Sequence, residues 1–304
     1  MKIHSTVTRL AVSLLLSMAV TAAHADEAAK PALLAKPDVA AKASMQTMQI
    51  PSHGSALNAL VYVAAGAQPH PVVILLHGFP GNERNLDLAQ DMRRAGWDVL
   101  FFNYRGSWGT PGDFSFSHSI EDVASAIAYL RQPENAKRLR LDPSRIVLVG
   151  HSMGGFMAVQ AAAADPAIEG IAMISAADLA GRFVQMQAQE QGSQTVAVKK
   201  MGAALAEEGL APLSGCTPDS LATDLAEHAA AWAFLSKVGG LAHRPAFVIT
   251  SDDGLAPAND AFANALRRAG DTQVTSLHLP TDHAYSDQRT ELSQAVLKWL
   301  ATFK

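Results

Sequence analysis

The sequence predicts an α/β fold in which a mostly parallel sheet is covered by helices on both faces. From Pro69 onward, short apolar runs alternate with segments of helical spacing, which is the pattern of a sheet built with right-handed crossovers. The runs are continuously apolar, as in strands that are buried on both faces. The polar residues that suggest chemistry also follow predicted strands directly, and parallel sheets bind ligands at the carboxyl ends of their strands.

Eight strands are predicted. The first two flank a turn at His53-Gly54-Ser55, and the other six are runs of four to six residues rich in apolar side chains. In chain order the predicted strands are residues 45–50, 58–63, 72–76, 99–104, 146–149, 170–175, 246–250 and 275–279.

Helices are predicted between these strands from the spacing of apolar residues. Ser119 is the expected N-cap of one helix, because Asp122 follows three positions later, and Gly270 is the expected end of another. The predicted helices outside residues 178–244 are 84–95, 119–131, 155–164, 257–269 and 291–303.

Residues 178–244 interrupt the alternation of strands and helices. They contain no clear strand pattern, are rich in Ala, Gln and Glu, and include a helical segment at 219–237. We expect a helical cap inserted over the strand ends. The alternative is a pair of ordinary sheet-covering helices joined by a long loop.

The N-terminal residues have the features of a targeting segment. Lys2 and Arg9 form a basic region, residues 10–23 are apolar, and an Ala-x-Ala site ends at Ala25. A secretory signal peptide cut after Ala25 is therefore predicted, and with it a periplasmic or secreted protein. A retained membrane anchor is less favoured because the apolar run is short for a span, and no later segment is long and apolar enough to cross a membrane.

Composition limits the remaining possibilities. Residues 26–44 are predicted to be a flexible lead-in and 45–304 a single large domain, since 49% of the chain is hydrophobic. The formal net charge of −4 and the absence of a basic stripe argue against a nucleic-acid partner.

Cys216 is the only cysteine, so no intramolecular disulfide is possible. No metal, phosphate-loop or dinucleotide motif occurs, and we expect neither metal nor cofactor.

The pentapeptide at residues 150–154 is the most informative motif. It reads GHSMG, which fits G-x-S-x-G, and it lies between a β-branched strand and an alanine-rich helix. A serine at such a strand–turn–helix junction has a strained backbone and an exposed hydroxyl, and the glycines prevent collisions with the neighbouring strand and helix. Ser152 is therefore the predicted nucleophile.

A serine hydroxyl needs a base to remove its proton, and histidine suits this task. In folds with this turn, the chain order is serine, then acid, then histidine. His278 and His283 are the candidates beyond the last buried strands. We favour His283, because it follows the last strand on a loop, whereas His278 lies within that strand.

The histidine in turn needs a carboxylate to orient it. Asp252 and Asp253 directly follow a predicted strand, and adjacent side chains point in different directions. One of them can reach the histidine while the other caps the turn. Asp178, after the preceding strand, is a third candidate.

Two backbone N–H groups are expected to bind the oxyanion. Met153 follows the nucleophile at a helix N-terminus, where the helix dipole helps. Phe79 lies in the loop HGFPG at residues 77–81, directly after a buried strand, and is the second expected donor. His77 is expected to brace this loop.

Taken together, these pieces resemble the α/β-hydrolase superfamily over nearly all of residues 58–303. DGLAP at 253–257 is similar to the family's D-x-x-V/A-P run, whose aspartate is the triad acid, and DHAYSD at 282–287 is similar to the D-H-x-F/Y stretch around the catalytic histidine. The resemblance thus favours Asp253 over its rivals. NYRGSWG at 103–109 resembles a segment of bacterial members related to prolyl oligopeptidase-like and dipeptidyl-peptidase-like hydrolases. It differs from that segment at Trp108 and at Thr110-Pro111, which replace smaller residues.

The resemblance implies a serine hydrolase that needs no cofactor and acts on a small-molecule ester or short peptide. We favour a carboxylic ester, by analogy with small capped members. Trp108, Phe114 and Phe116 are candidates to line the substrate pocket. The alternatives are an aminopeptidase-like or dipeptidyl-peptidase-like amidase, with Asp113 or Glu121 holding a substrate amine, a non-catalytic binding protein of the same fold, and an acyl transferase or perhydrolase.

Overall fold

The computed structural model describes residues 41–303. The predicted signal peptide and residues 26–40 of the predicted lead-in lie outside the described residues. No helix in the described part of the chain is long and apolar enough to cross a membrane.

The described chain contains eight strands, and from the third strand onward helices separate one strand from the next. The strands are β1 (Ser44–Ser52), β2 (Ser55–Val63), β3 (His70–Leu76), β4 (Asp98–Phe102), β5 (Leu141–His151), β6 (Gly170–Ile174), β7 (Ala246–Thr250) and β8 (Val274–His278). The helices are α1 (Leu86–Arg94), α2 (Phe116–Arg131), α3 (Pro133–Leu139), α4 (Met153–Ala164), α5 (Leu179–Gln189), α6 (Gln194–Glu208), α7 (Pro218–Trp232), α8 (Val238–Leu241), α9 (Ala256–Arg268) and α10 (Arg289–Leu300), with a 3-10 helix at Phe234–Lys237.

The strands form one sheet in the order β1-β2-β4-β3-β5-β6-β7-β8. The β1–β2 and β2–β4 pairs are antiparallel, and the other five pairs are parallel. The predicted fold class, a mostly parallel sheet with helices on both faces, is confirmed. Strand β5, which leads to Ser152, lies in the interior of the sheet, with β3 on one side and β6 on the other.

The central strands are buried on both faces, which explains their continuous apolar sequences. In β5, Ile146 and Leu148 belong to one apolar cluster, whereas Val147 and Val149 belong to the other. Successive side chains of a strand point to opposite faces, so an unbroken apolar run supplies both clusters. Side chains of α1 and α10 complete one cluster, and those of α2, α4 and α9 contribute to the other.

The strand register brings the ends of five strands to one edge of the sheet. Leu76, the last residue of β3, pairs with Gly150 in β5, and Gly150 pairs with Met173 near the end of β6. Ile174 pairs with Ile249 in β7, and Thr250 pairs with the last residue of β8. The loops that follow these strands therefore begin side by side, although their residues are far apart in sequence.

Some elements differ from the predictions in their bounds. Helix α2 begins at Phe116, and its N-cap is Ser115, whose hydroxyl accepts a hydrogen bond from the N–H of His118 at 3.0 Å. The predicted cap, Ser119, lies inside the helix and donates to the Ser115 carbonyl at 2.8 Å. Helix α3 was not predicted. It is seven residues long and begins with Pro133, a residue that suits the first helical position.

The region between β6 and β7 is helical. Helices α5, α6 and α7 pack on one another, and residues 178–244 contain no strand. The chain after α6 contacts the loop after β4, where the N–H of Trp108 donates to the Pro212 carbonyl at 2.9 Å and the N–H of Ser214 to the Gly106 carbonyl at 2.8 Å. These bonds join the helical region to the sheet edge where the strands end.

A buried ion pair connects the loop after β4 to α2 and β1. The Nε of Arg105 donates to Asp122 at 2.7 Å, and its backbone N–H donates to the other carboxylate oxygen at 2.8 Å. The hydroxyl of Ser52 donates to the same carboxylate at 2.6 Å. The side chain of Asp122 is fully buried and that of Arg105 nearly so.

Replacing Arg105 with Ala is expected to lower the free energy of unfolding by about 3–5 kcal/mol, because it leaves the Asp122 carboxylate buried without its cation. Urea unfolding of wild type and variant measures the difference. Arg138, which is exposed, supplies the control, and R138A is expected to change stability by about 0.5 kcal/mol or less. Equal effects of the two substitutions would contradict a stabilising role for the buried pair.

Candidate active site

Ser152 occupies a strained turn between β5 and α4. Its φ of 56° and ψ of −122° place a non-glycine residue in a region that L-residues rarely adopt. The turn is held by hydrogen bonds from the Ser152 N–H to the Ile174 carbonyl at 2.9 Å and from the Ala177 N–H to the Ser152 carbonyl at 3.0 Å. The nucleophile turn is thus attached to the end of β6.

The glycines around Ser152 are required by close packing. A Cβ on Gly154 would overlap the backbone carbonyl of Leu76 in β3, and a Cβ on Gly150 would overlap the backbone of Gly154. A Cβ on Gly78 would approach the Cβ of Ser152 to 2.9 Å. The pattern of small residues therefore allows the turn, the helix and the loop after β3 to meet at one point.

His283 and Asp253 form a hydrogen-bonded pair next to this turn. The Nδ1 of His283 lies 2.7 Å from Oδ2 of Asp253, whose side chain is almost buried. The other carboxylate oxygen accepts the N–H of Leu255 at 2.9 Å. Burial alone would raise the pKa of Asp253, but the hydrogen bonds from His283 and Leu255, with nearby hydroxyl groups, hold this pKa well below its usual range. The carboxylate is therefore ionised, and Nδ1 of His283 carries the proton between them.

The rival candidates have other partners. His278 lies at the end of edge strand β8 and pairs with Asp252 at 3.1 Å, with both side chains about half or more exposed. Asp178 caps α5, where its carboxylate accepts the N–H of Gly181 at 2.9 Å. Neither His278 nor Asp252 lines the cavity described next.

A cavity of about 370 Å³ lies over Ser152. Its sheet-side wall includes Ser152, Asp253 and His283, together with Phe79 and Met153. Further lining residues come from the helical region between β6 and β7. They are Leu179 and Arg182 of α5 and Met201, Ala204, Leu205 and Glu208 of α6. The cavity thus collects the three predicted triad residues and both predicted oxyanion donors.

Both expected oxyanion donors belong to segments that adjoin Ser152. Met153 is the first residue of α4, and the first N–H groups of a helix have no partner within it. Phe79 follows Gly78, which packs against Ser152. His77 braces this loop, because its Nδ1–H donates to the Gly78 carbonyl at 2.8 Å and its ring packs on Tyr104. Burial lowers the pKa of His77 to about 4, so its ring is neutral at ordinary pH.

His151 is a residue of the site that the sequence argument did not identify. Its Nε2–H donates to the backbone carbonyl of His283 at 2.8 Å, and the two rings lie 4.6 Å apart. Burial, with a smaller contribution from the His283 charge, lowers the pKa of His151 to about 4. Its position within the pentapeptide placed it at the site, but its partner 132 residues away could not be inferred from sequence.

The aromatic residues predicted to line the pocket lie elsewhere. Phe114 and Phe116 are buried in the core, with ring centroids 5.9 and 6.0 Å from that of Phe79. The Nε1–H of Trp108 donates to the Pro80 carbonyl at 2.9 Å. None of the three lines the cavity over Ser152, and all support the loop that contains Phe79.

The two carboxylates suggested as holders of a substrate amine also lie off the cavity. Glu121 pairs with Arg105 at 2.5 Å, and Asp113 is exposed. Among the described residues, no group of three or more His, Cys, Asp or Glu side chains could hold a metal ion.

This fold, with a serine turn at the carboxyl edge of its sheet, is that of the hydrolases of the α/β class. Residues 73–295 match the sequence model of the alpha/beta hydrolase family, and the chain belongs to that family. The more specific resemblance to prolyl oligopeptidase-like members stays a prediction.

Two relatives match parts of the sequence. The quorum-quenching protein AidA of Acinetobacter baumannii is 29% identical over 124 residues, which are 39% of this chain and 39% of AidA. Epoxide hydrolase 3 of Xenopus tropicalis is 30% identical over 102 residues, which are 32% of this chain and 25% of that protein. The matched segments are therefore less than half of either relative.

Solved esterase structures share the fold over most of the chain. An esterase of Rhizomucor miehei superimposes with a TM-score of 0.64 at 20% identity, covering 86% of this chain and 84% of its own. A thermostable carboxyl esterase of Bacillus coagulans superimposes with a TM-score of 0.65 at 17% identity, covering 85% and 98%. At these identities the likeness concerns the fold alone.

Replacing Gly154 with Ala is expected to destabilise the protein by about 1–3 kcal/mol, because the added methyl group overlaps the Leu76 carbonyl. Gly239 offers a matched control, since it lies in α8 with open space around it and G239A is expected to be neutral or slightly stabilising. Urea unfolding measures both. A G154A protein as stable as G239A would contradict the packing described for the turn.

Stability is expected to fall as the pH decreases from about 7.5 to 5. The folded-state pKa of both His77 and His151 is about 4, against 6.5 for an unperturbed histidine, so over this range the unfolded chain binds more protons than the folded one. Each histidine contributes stability that is complete above pH 6.5 and is lost as the pH approaches 4, up to about 3 kcal/mol.

Urea unfolding at pH 7.5, 6.5 and 5.5 tests this dependence, with H151Q as the comparison. Glutamine keeps an N–H donor but does not titrate, so the variant is expected to lose less stability than wild type over the same range. Equal stability of the wild type at the three pH values would show that the buried histidines are not held neutral.

Proposed function

We propose that the protein is a serine hydrolase that cleaves a carboxylic ester through Ser152, His283 and Asp253. The observation that carries the proposal is that these three residues, from three separate loops, line one cavity, with His283 hydrogen-bonded to a nearly buried, ionised Asp253. The nucleophile, the acid and the histidine base occur along the chain in the order expected for this fold, and all three lie at the same site.

In the proposed reaction, the Ser152 hydroxyl oxygen attacks the ester carbonyl carbon while Nε2 of His283 takes the hydroxyl proton. Asp253 stabilises the imidazolium through its bond to Nδ1. The carbonyl oxygen becomes an oxyanion that accepts hydrogen bonds from the N–H groups of Phe79 and Met153, each worth about 3 kcal/mol in the transition state. Collapse of the intermediate breaks the bond to the alcohol, which leaves with the proton from His283.

The acyl-enzyme is then hydrolysed by the same groups. His283 removes a proton from water, the hydroxide attacks the acyl carbon, and the oxyanion again lies at Phe79 and Met153. When the bond to Ser152 breaks, His283 returns the proton to the serine oxygen and the carboxylic acid is released. No metal or redox cofactor enters these steps.

The cavity favours small, partly apolar esters. Met201, Ala204 and Leu205 of α6 line the same cavity as Ser152, and its volume of about 370 Å³ is near the lower end of ligand-pocket volumes. The fold likeness to esterases agrees with this substrate class. Asp113 and Glu121, the carboxylates suggested for amine binding, are not in the cavity wall, and amide cleavage therefore has less support.

The site of action is proposed from sequence alone. The predicted signal peptide implies a periplasmic or secreted enzyme that begins after Ala25. N-terminal sequencing of the protein recovered from periplasm and medium tests this: a chain that begins at Asp26 supports it, and an intact Met1 in the membrane fraction contradicts it.

Replacing Ser152 with Ala is expected to lower kcat/KM for a short-chain p-nitrophenyl ester by about 10⁴-fold or more, because the nucleophile is lost. S144A, at an exposed serine near the start of β5, serves as the control and is expected to match wild type. Retention of a tenth or more of the wild-type activity by S152A would mean that another group attacks the ester.

A further inference from the structure

Three buried hydroxyl groups form a chain of hydrogen bonds beside Asp253. The hydroxyl of Ser175, directly after β6, lies 2.9 Å from that of Ser251, directly after β7. It also lies 2.8 Å from the phenol oxygen of Tyr285, in the loop after β8. Ser175 and Tyr285 are fully buried, and Ser251 is 1% exposed. The chain joins the loops after β6, β7 and β8, two of which contain Asp253 and His283.

The backbone is strained at both ends of the Tyr285–Ser175 bond. Tyr285 has a φ of 58° and Ser175 a φ of 43°, in the left-handed region that is costly for a bulky residue. Such conformations persist only where the surroundings impose them, and they concentrate at functional sites. In this loop, the strained conformation directs the Tyr285 side chain inward, two residues after His283.

The chemistry of the carboxylate sets the direction of the hydroxyl protons. An ionised carboxylate only accepts hydrogen bonds, so hydroxyl groups beside it donate toward it. The hydroxyls of Ser175 and Ser251 contribute to the lowered pKa of Asp253. Because the single hydroxyl proton of Ser175 is then directed toward the carboxylate, Ser175 accepts a hydrogen bond from the phenol of Tyr285, whose oxygen lies 2.8 Å away. Burial raises the pKa of Tyr285 to about 12, so the phenol keeps its proton at ordinary pH.

We propose that Tyr285 is a positioning residue: through Ser175 and Ser251, its buried phenol holds the Asp253 carboxylate in the geometry that orients His283. This proposal rests on the proposed function of Asp253 and His283. Two anchors then flank the histidine. On one side, His151 of the nucleophile turn binds the backbone carbonyl of His283. On the other, Tyr285, two residues after His283, binds the hydroxyl of Ser175 directly after β6.

The test compares Y285F and S175A with wild type and with Y62F. Tyr62 is another buried tyrosine, on β2, and it takes no part in the hydroxyl chain. In Y285F, kcat for a neutral p-nitrophenyl ester is expected to fall about three- to tenfold, the equivalent of one net hydrogen bond, with KM within about twofold. Substrate binding is unaffected because the phenol does not line the cavity.

Proton NMR supplies a readout that a purely structural role would not change. The N–H proton shared by His283 and Asp253 gives a low-field resonance, which is assigned by its loss in H283Q. In Y285F and S175A we expect this resonance to move or broaden, and in Y62F we expect it to stay in place.

The proposal requires both results. A drop in kcat with an unmoved resonance, or a moved resonance with unchanged kcat, overturns it, as does an equal effect of Y62F. If Y285F does not fold, S175A decides the outcome, because it removes only one hydroxyl group from the same series of hydrogen bonds. The criteria are again a lower kcat and a moved resonance. If S152A retains wild-type activity, the proposed function fails, and the resonance alone then decides whether the hydroxyl chain positions the Asp253–His283 pair.

Discussion

The hydrogen bond from the N–H of Ser152 to the carbonyl of Ile174 is the interaction on which the site depends. It secures a strained backbone at Ser152 to the end of β6, and the second bond, from Ala177, completes the attachment. With Ser152 fixed there, Met153 begins α4 at the sheet edge, and the loop after β3 packs against the turn through Gly78. The strain is tolerated because the parallel sheet supplies rigid neighbours on both sides of β5.

The electrostatic organisation of the site follows from burial. His77 and His151 are kept neutral and serve as hydrogen-bond donors to backbone carbonyls. Asp253 stays ionised because it accepts enough hydrogen bonds to offset its desolvation. His283, whose side chain is partly exposed and lines the cavity, is the histidine of this group to which the proposed mechanism assigns the proton transfer.

Local patterns were sufficient to predict the sheet and the serine turn. The apolar runs of β3, β5, β6 and β7 and the glycines around Ser152 are short-range signals, and the structure contains each of these elements. The choice between Asp252 and Asp253 was not accessible from residue chemistry, since both follow β7. In the structure the two carboxylates have different partners: Asp252 pairs with His278, where both side chains are exposed, and Asp253 pairs with His283 at the cavity.

Long-range contacts account for what the sequence could not show. The Ser175–Ser251 and Ser175–Tyr285 bonds join residues 76 and 110 positions apart, so no local pattern indicates them. Phe114 and Phe116 follow a strand, as pocket residues often do, but the direction of their side chains depends on packing against Phe79. The cavity lining that they were expected to supply comes from residues of α5 and α6.

The most direct test of the central claim is the location of the covalent adduct formed with a fluorophosphonate, determined by peptide mass spectrometry on folded wild-type protein and H283Q. An activated serine next to a histidine base predicts a single phosphonyl group on Ser152 in the wild type and a greatly slowed reaction in H283Q. A folded wild-type protein that carries no adduct, or an adduct on any other residue, would contradict the account.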